Sequence, residues 1–472
     1  MKALLPVFDE TREKPYYLQL YGYIRNLILT GEITEGEKLP SLRSLAKTTS
    51  LSITTIEQSY NQLLVEGYIY ARPQSGYYVS KVLTGRSQTV PAPGAAIHSE
   101  VSVIDETAGT EVPAMQYDPE CFDFNKWKKC MNRILNDYSP ALLFEGNPQG
   151  ETALRAEIAR YLYMSRGVSC TPEQIIIGAG TQQITSHLAT LLRKQGVEHV
   201  ALEDPGYLPV RNVFRDRGFA ITRVAVRDNG LAIEKLPANI RAAAYVSPSN
   251  HAYTGSVMPI GRRYELLAWA EENDSYIIED DYDSELRYFG KPIPALKSLA
   301  GSERVIYLSS FSSTLFAALK ISYMVLPSPM ARLFSSIAGD YSPTCSKLEQ
   351  LTLAMFMESG LFQTHIKKLR KLYAQKLTKI TDAFEAKASD FVRVISSSSG
   401  ISIILEIDSP KTPDQIKRDA ETLGIPAVCV GRRIILYYNQ IPLSEIDGAV
   451  SKLADVWRRP EPESTGSSGA GR

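Results

Sequence analysis

Tyr276-Ile277-Ile278-Glu279-Asp280-Asp281-Tyr282-Asp283-Ser284-Glu285 reads as a short apolar run that ends in a cluster of carboxylates. A run this short, with no stripe of helical period, suits a strand covered on both faces. The pattern recurs on either side, at Gln174-Ile175-Ile176-Ile177, His199-Val200-Ala201-Leu202, Ala242-Ala243-Ala244-Tyr245-Val246 and Val305-Ile306-Tyr307-Leu308. Helical patterns separate these runs from Pro113 to about Arg459. The alternation predicts an α/β domain with a parallel sheet and crossover helices.

The chain has 472 residues, more than one typical domain holds. Its 44% hydrophobic and 22% charged residues are those of an ordinary globular chain, and 52 basic against 52 acidic residues leave no global bias toward nucleic acid. Five cysteines, at 121, 130, 170, 345 and 429, form no CxxC pair. An odd, scattered set points to reduced thiols in a cytoplasm, and no metal site is expected. The opening MKALLPVFDETREK does not read as a signal peptide, and no stretch approaches the ~18 apolar residues of a membrane span. Residues 82–112 lack apolar periodicity and are rich in Gly, Pro, Ser and Thr, so they read as a flexible linker with a mean span of roughly 30 Å. Residues 460–472 read as a disordered tail. That leaves one domain over 1–81 and another over 113–459.

In the first domain, Leu20, Ile24, Leu27 and Ile28 recur at helical spacing and Gly31 follows as a stop. Ser41 and Ser52 are candidate caps of two further helices. The second of these carries Ile56, Tyr60, Leu63 and Leu64 inward and leaves Thr54, Gln58 and Asn61 outward. Tyr68-Ile69-Tyr70 and Tyr77-Tyr78-Val79 then read as two strands around Gln74-Ser75-Gly76. Three helices followed by a hairpin is the order of a winged helix-turn-helix.

The spacing Leu39-Pro40-Ser41-x-Arg43-x-Leu45-Ala46, Ser52-x-x-Thr55-Ile56, Tyr60-x-x-Leu63-x-x-Glu66-Gly67-Tyr68 resembles the GntR-type winged helix over residues 15–80. The resemblance implies DNA contacts at Ser41 and Arg43, at the recognition-helix start (Ser52, Thr54, Thr55, with Gln58 one turn on) and at the wing tip (Ser75, Gly76). Arg43 has a solvated helix charge as its bland alternative, and for Thr54 and Gln58 the same alternative stays open. Ile53 stands where that family often has Arg. Over residues 1–80 eight basic residues meet eight acidic ones, so phosphate neutralisation should contribute little non-specific affinity.

The second domain carries several segments in one order. Gly146-Asn147-Pro148-Gln149-Gly150 opens it. Gly178-Ala179-Gly180-Thr181-Gln182-Gln183 follows an apolar run and starts a helix, where free N–H groups suit a phosphate, although such a turn uses Gly structurally at least as often. Glu203-Asp204-Pro205-Gly206-Tyr207, the carboxylate cluster at 278–285 and Tyr307-Leu308-Ser309-Ser310-Phe311-Ser312-Ser313-Thr314-Leu315 follow. Together they resemble the fold-type-I (aspartate aminotransferase) class of pyridoxal-phosphate (PLP) enzymes. That resemblance implies a phosphate site at Gly180, Thr181, Gln182, Ser310, Ser312 and Lys320. It also implies a ring-stacking Tyr207, Asp280 on the pyridine nitrogen and Tyr282 on the ring O3′.

Behind a GntR-type head, this domain resembles the MocR/GabR class of regulators over nearly the whole chain. Departures concentrate in the pocket. Ser313 stands where the Schiff-base lysine belongs, and a hydroxyl forms no imine. Lys320 replaces the arginine that grips phosphate, keeping the charge and losing the bidentate fork. Tyr253 takes the place of a proline, and Pro209 that of a substrate-binding arginine in some relatives. Arg433, with Arg432 close behind, matches the arginine that holds a substrate carboxylate, against the alternative of a surface strand arginine. PLP held without a covalent link is the expected cofactor, since contacts to the phosphate can sustain micromolar binding of about −8 kcal/mol.

The expectation is therefore a cytoplasmic, homodimeric transcription regulator that binds a double-stranded operator. It would sense a small amino compound or a B6 vitamer without turnover. The alternative is a PLP-dependent aminotransferase with a fused DNA-binding head.

Overall fold

Ser41 and Ser52 each start a helix by accepting a backbone N–H three residues on, from Ser44 at 3.2 Å and from Thr55 at 3.1 Å. Each bond satisfies one of the amides that a first turn leaves unpaired. The helices are α1 (Tyr16–Leu29), α2 (Leu42–Thr49) and α3 (Ile53–Val65), followed by strands β1 (Ile69–Arg72) and β2 (Gly76–Val79). Leu20, Ile24 and Ile28 meet Leu45, Ile56, Tyr60, Leu63, Ile69 and Val79 in one core. The hairpin pairs Ile69 with Val79 and Arg72 with Gly76. Gly76, at φ +112°, closes the tight end of the wing in a conformation that favours glycine. The Arg72 guanidinium lies 4.7 Å from the Tyr78 ring centroid and stiffens that end. This is the expected winged helix-turn-helix.

The computed structural model describes residues 15–72, 75–80, 119–227, 229–288, 294–299, 303–396 and 400–458. The linker and tail expected at 82–112 and 460–472 lie outside the described residues. The chain divides into two compact units between residues 106 and 107.

The second unit is built on a mixed sheet in the order β3-β10-β9-β8-β7-β4-β5-β6. Its strands are β3 (Ile175–Ala179), β4 (His199–Asp204), β5 (Ala220–Arg227), β6 (Gly230–Leu231), β7 (Ala242–Val246), β8 (Tyr276–Asp280), β9 (Val305–Ser310) and β10 (Ile321–Val325). The five runs singled out in sequence are all strands here. β5, β4, β7, β8 and β9 run parallel as expected, but β10 is antiparallel to both β3 and β9, so the sheet is not purely parallel. β7 is buried at every position, and helices such as Gly180–Lys194 and Ile260–Glu272 cover the sheet. A smaller antiparallel sheet follows, β11 (Val392–Ser396), β12 (Ser402–Ile407), β13 (Ala427–Val430) and β14 (Arg433–Tyr437), in the order β11-β12-β14-β13. It packs on the helices Leu361–Ala388 and Ile446–Arg458. The five cysteines form no disulfide with one another. Among the described residues no helix is long and apolar enough to cross a membrane.

Candidate functional site

The outer faces of the head carry the residues singled out for DNA. Ser41, Arg43, Ser52, Thr54 and Gln58 are exposed, while Thr55, Ser75 and Gly76 are half-buried. α3 turns Ile56, Ser59, Tyr60 and Leu63 inward, which leaves Thr54, Gln58 and Asn61 on the opposite face. Ser52 and Ser41 are consumed as caps through their hydroxyl oxygens, so only their remaining hydrogen-bonding capacity is free for a phosphate. Ile53 is 49% exposed, an apolar side chain at the first turn of the outward helix.

In the second unit, sheet register brings distant segments to one edge. Ala179 pairs with Ile321 and Ser310 with Ser322, so Gly180 becomes a neighbour of Ser310 and Lys320, which lie 130 and 140 residues on in sequence. β8, β7 and β4 end beside them and contribute Asp280, Tyr245 and Glu203. A cavity of about 310 Å³ opens there. Gly180, Thr181, Tyr207, Asp280, Tyr282, Ser310, Ser312, Ser313 and Lys320 all line it.

One wall suits an anionic group. The helix Gly180–Lys194 presents its N-terminus, with open space at Gly180, and Thr181, Ser310 and Ser312 add hydroxyls. Lys320 supplies the charge from a left-handed backbone, φ +51°, a conformation that only surrounding structure sustains in a residue with a side chain. The donor set fits a phosphate.

The carboxylates at the end of β8 and just beyond it divide their tasks by alternation. Glu279 turns away and accepts the N–H groups of Leu296 at 2.6 Å and Lys297 at 2.8 Å. Asp281 is gripped by Arg166 and also accepts the Ser284 hydroxyl at 2.8 Å. Asp280, between them, faces the cavity and accepts the phenol of Tyr245. Burial pushes its carboxyl up to about 6, against the pull of the Tyr245 hydrogen bond. It is ionised at neutral pH and fits a protonated ring nitrogen. Glu203, nearby, is pushed up to about 8 by burial despite accepting the Ser247 N–H at 3.0 Å.

Next to these, Ser313 stands on the cavity wall, and among the described residues no lysine other than Lys320 lines that wall. Gly206 is needed where it is, because a Cβ there would meet the Glu203 carbonyl oxygen at 2.1 Å. Its tight turn sets Tyr207 at the cavity mouth, 48% exposed. His251 lies on the same wall. Its Nε2 donates to the Pro205 carbonyl at 3.0 Å, and burial lowers its pKa to about 4, so it is neutral.

Two of the singled-out residues lie elsewhere. Gln182 is exposed and off the cavity wall, although Gly180 and Thr181 beside it line that wall. Arg433 is opposite Glu406 in the β12–β14 register, with Arg432 exposed in the turn before it. Cross-strand pairing places it beside that carboxylate, and β14 reaches the cavity through Tyr437 instead. Tyr253, one of the departures, does line the cavity. Sequence reasoning gave no role to Tyr245, Asn250, His251, Tyr437, Arg211 and Arg223, which also line it. Arg211 had a signal, since it follows Tyr207 by four residues at the start of the helix Leu208–Asp216, one turn on and on the same face. Arg223 is held by Asp204 at 2.7 Å.

Comparison with known proteins adds to this geometry. Residues 16–79 match the bacterial regulatory proteins of the gntR family, and residues 115–421 match aminotransferase class I and II. The HTH-type transcriptional regulator YdeL of Bacillus subtilis is 36% identical over 468 residues, spanning 96% of this chain and 99% of that protein. The HTH-type pyridoxine biosynthesis transcriptional regulator PdxR of Corynebacterium glutamicum is 31% identical over 407 residues, 83% of each chain. The α-aminoadipate aminotransferase LysN of Thermus thermophilus, solved with N-(5′-phosphopyridoxyl)-L-leucine, shares the fold at a TM-score of 0.63 and 24% identity, covering 73% of this chain and 90% of that one.

Proposed function

The chain belongs to the family of HTH-type transcriptional regulators that join a gntR-family head to an aminotransferase class I and II domain, and we propose that it is a homodimeric, cytoplasmic regulator that reads a B6 phosphate or a small amino compound in the cavity. One observation carries this reading: a single cavity gathers an anion cradle, an ionised Asp280 and a hydroxyl at Ser313. When bound, PLP supplies a reactive aldehyde on a ring that can draw off electrons.

Lys320, Thr181, Ser310, Ser312 and the amides at Gly180 would hold the phosphate. Asp280 would keep the ring nitrogen protonated, with Tyr245 orienting the carboxylate. Tyr207 and Tyr282 would fix the ring face and its phenolic oxygen. Ser313 can neither tether the ring nor relay a proton as an amine does, so the domain would bind without turnover. The large exposed side chains Leu143, Phe144, Tyr163 and Met164 support a second copy as partner for this unit. Two heads would then read two half-sites of an operator, with Arg43, Ser41, Ser52, Thr54, Thr55, Gln58, Ser75 and Gly76 facing the DNA.

The test is a PLP titration by absorbance, run beside binding to the DNA upstream of its own gene. The expected result is saturable binding with the spectrum of the free aldehyde, a change in operator affinity, and a shifted absorbance band in Ser313→Lys as the ring becomes tethered. No PLP binding by either protein would overturn the reading.

A further inference from the structure

Asp283 is a buried carboxylate that no feature of the proposed function uses. It is 3% exposed, and neither of its oxygens makes a hydrogen bond of normal geometry, although the Ser313 and Tyr282 hydroxyls stand close by. Among the described residues no lysine, arginine or histidine pairs with it. Its backbone is left-handed, φ +54°, in the turn directly after Tyr282. Such a conformation in a residue with a side chain persists where surrounding structure holds it, often at ligand sites.

The surroundings point to what is missing. Asp283 borders a small cavity of about 20 Å³ whose wall includes Tyr282, Asn250, His251 and Tyr437, and these four also line the main cavity. The two spaces therefore adjoin, with these side chains between them. A volume of that size holds about one water-sized group, so it accommodates the head of a ligand seated in the main cavity rather than a separate molecule of any size. A cationic head suits this place, because a carboxylate taken out of water is disfavoured until a counter-charge arrives. Burial pushes the Asp283 carboxyl up to about 7, against the pull of the Ser313 and Tyr282 hydroxyls. Ser313 is thus beside Asp283, at the place where a lysine would have brought an ammonium group of the chain's own.

We propose that Asp283 is the receptor for a primary ammonium group, and that the cavity is selective for a ligand bearing one next to Ser313. This rests on the proposed B6-phosphate site. The ammonium rides either on the B6 compound itself or on a second small amine beside it, and both present the same chemistry to Asp283.

The full-length protein is titrated by calorimetry with three B6 phosphates that differ at one carbon: pyridoxamine 5′-phosphate (amine), pyridoxal 5′-phosphate (aldehyde) and pyridoxine 5′-phosphate (alcohol). Methylammonium is then titrated into protein saturated with the alcohol form, which cannot condense with it. If the ammonium rides on the cofactor, the amine form binds about tenfold or more tightly than the alcohol form, the yield of a charge-assisted hydrogen bond, and Asp283→Asn reduces that ratio to near one. If it is carried separately, the three forms bind alike and methylammonium binds in a manner that Asp283→Asn abolishes. Asparagine tolerates a left-handed backbone, so this variant keeps the turn. Ser313→Lys provides a second handle: its own ammonium fills the place and reverses the preference in favour of the aldehyde. An amine preference that survives Asp283→Asn, or no amine effect in either arm, overturns the proposal while leaving the phosphate site standing. Binding of none of the three forms overturns both.

Discussion

Arg166 and Asp281 face each other through two parallel hydrogen bonds, Nε to Oδ2 at 2.7 Å and Nη2 to Oδ1 at 2.8 Å, with both side chains almost wholly buried. The Ser249 hydroxyl is 2.9 Å from Arg166 Nη2, and the Tyr307 phenol donates to Asp281 at 2.5 Å. The pair clamps the end of β8 from behind, so that Asp280 is turned toward the cavity. Removing one member strands a charge. Arg166→Ala should lower stability by about 3–5 kcal/mol, read by chemical denaturation. Adding Asp281→Asn to that variant should recover part of the loss.

Glu203 gives the second unit a signature in pH. Its carboxyl moves from the ordinary 4.5 to about 8 in the fold, because burial disfavours the charge. The folded state therefore holds a proton that the unfolded chain releases near 4.5. The contribution is complete below that value and is lost as pH rises to about 8, with a slope of at most about 1.4 kcal/mol per pH unit. Glu203→Gln should flatten this part of the stability profile, measured by denaturation at a series of pH values.

Asp280 should impose the opposite dependence on ligand binding. Its charged form prevails above about 6. Affinity for a B6 phosphate, whose ring it would hold protonated, should weaken as pH falls through that value. In Asp280→Asn the affinity should be lower at neutral pH, and this particular inflection should vanish from a series of calorimetric titrations.

For the head, Arg43→Ala should weaken operator binding and reduce the salt slope by about one unit, as one phosphate contact is lost. Ile53→Arg should do the reverse, raising affinity for any duplex and steepening the slope by a similar amount. Fluorescence anisotropy over a range of salt concentrations reads both.

The exposed pair Leu143 and Phe144, 85% and 72% accessible, bears on assembly. Leu143→Glu with Phe144→Glu should convert a dimer into a monomer in light scattering at micromolar concentration, with little loss of stability in the isolated chain.

The sequence carried the fold well where local signals are strong. The caps at Ser41 and Ser52, the apolar stripe of α3 and the five short strand runs were all legible, since each rests on residues a few positions apart. The antiparallel sense of β10 was not, because direction is a property of pairing between segments. Pocket membership followed the same line. Gly180, Ser310 and Lys320 could be named by resemblance, but their adjacency comes from the β3–β10–β9 register. Asp280 could be singled out from Glu279 and Asp281 by resemblance, whereas the partner of Asp281 lies 115 residues back, at Arg166. Arg433 lies off the cavity wall because its neighbour is fixed across the sheet, at Glu406. Asp283 carried no signal at all, since its burial without an ion-pair partner among the described residues is visible only in three dimensions.

Ser313 also bears on time. A ligand kept only by contacts departs as fast as those contacts allow. At about micromolar affinity and an association rate of about 10⁶ M⁻¹ s⁻¹, its residence is on the order of a second. Occupancy would then follow the surrounding concentration as a gauge follows pressure, with no memory of an earlier level. A lysine in that place would make the protein a ledger of past exposure; the hydroxyl would make it a meter.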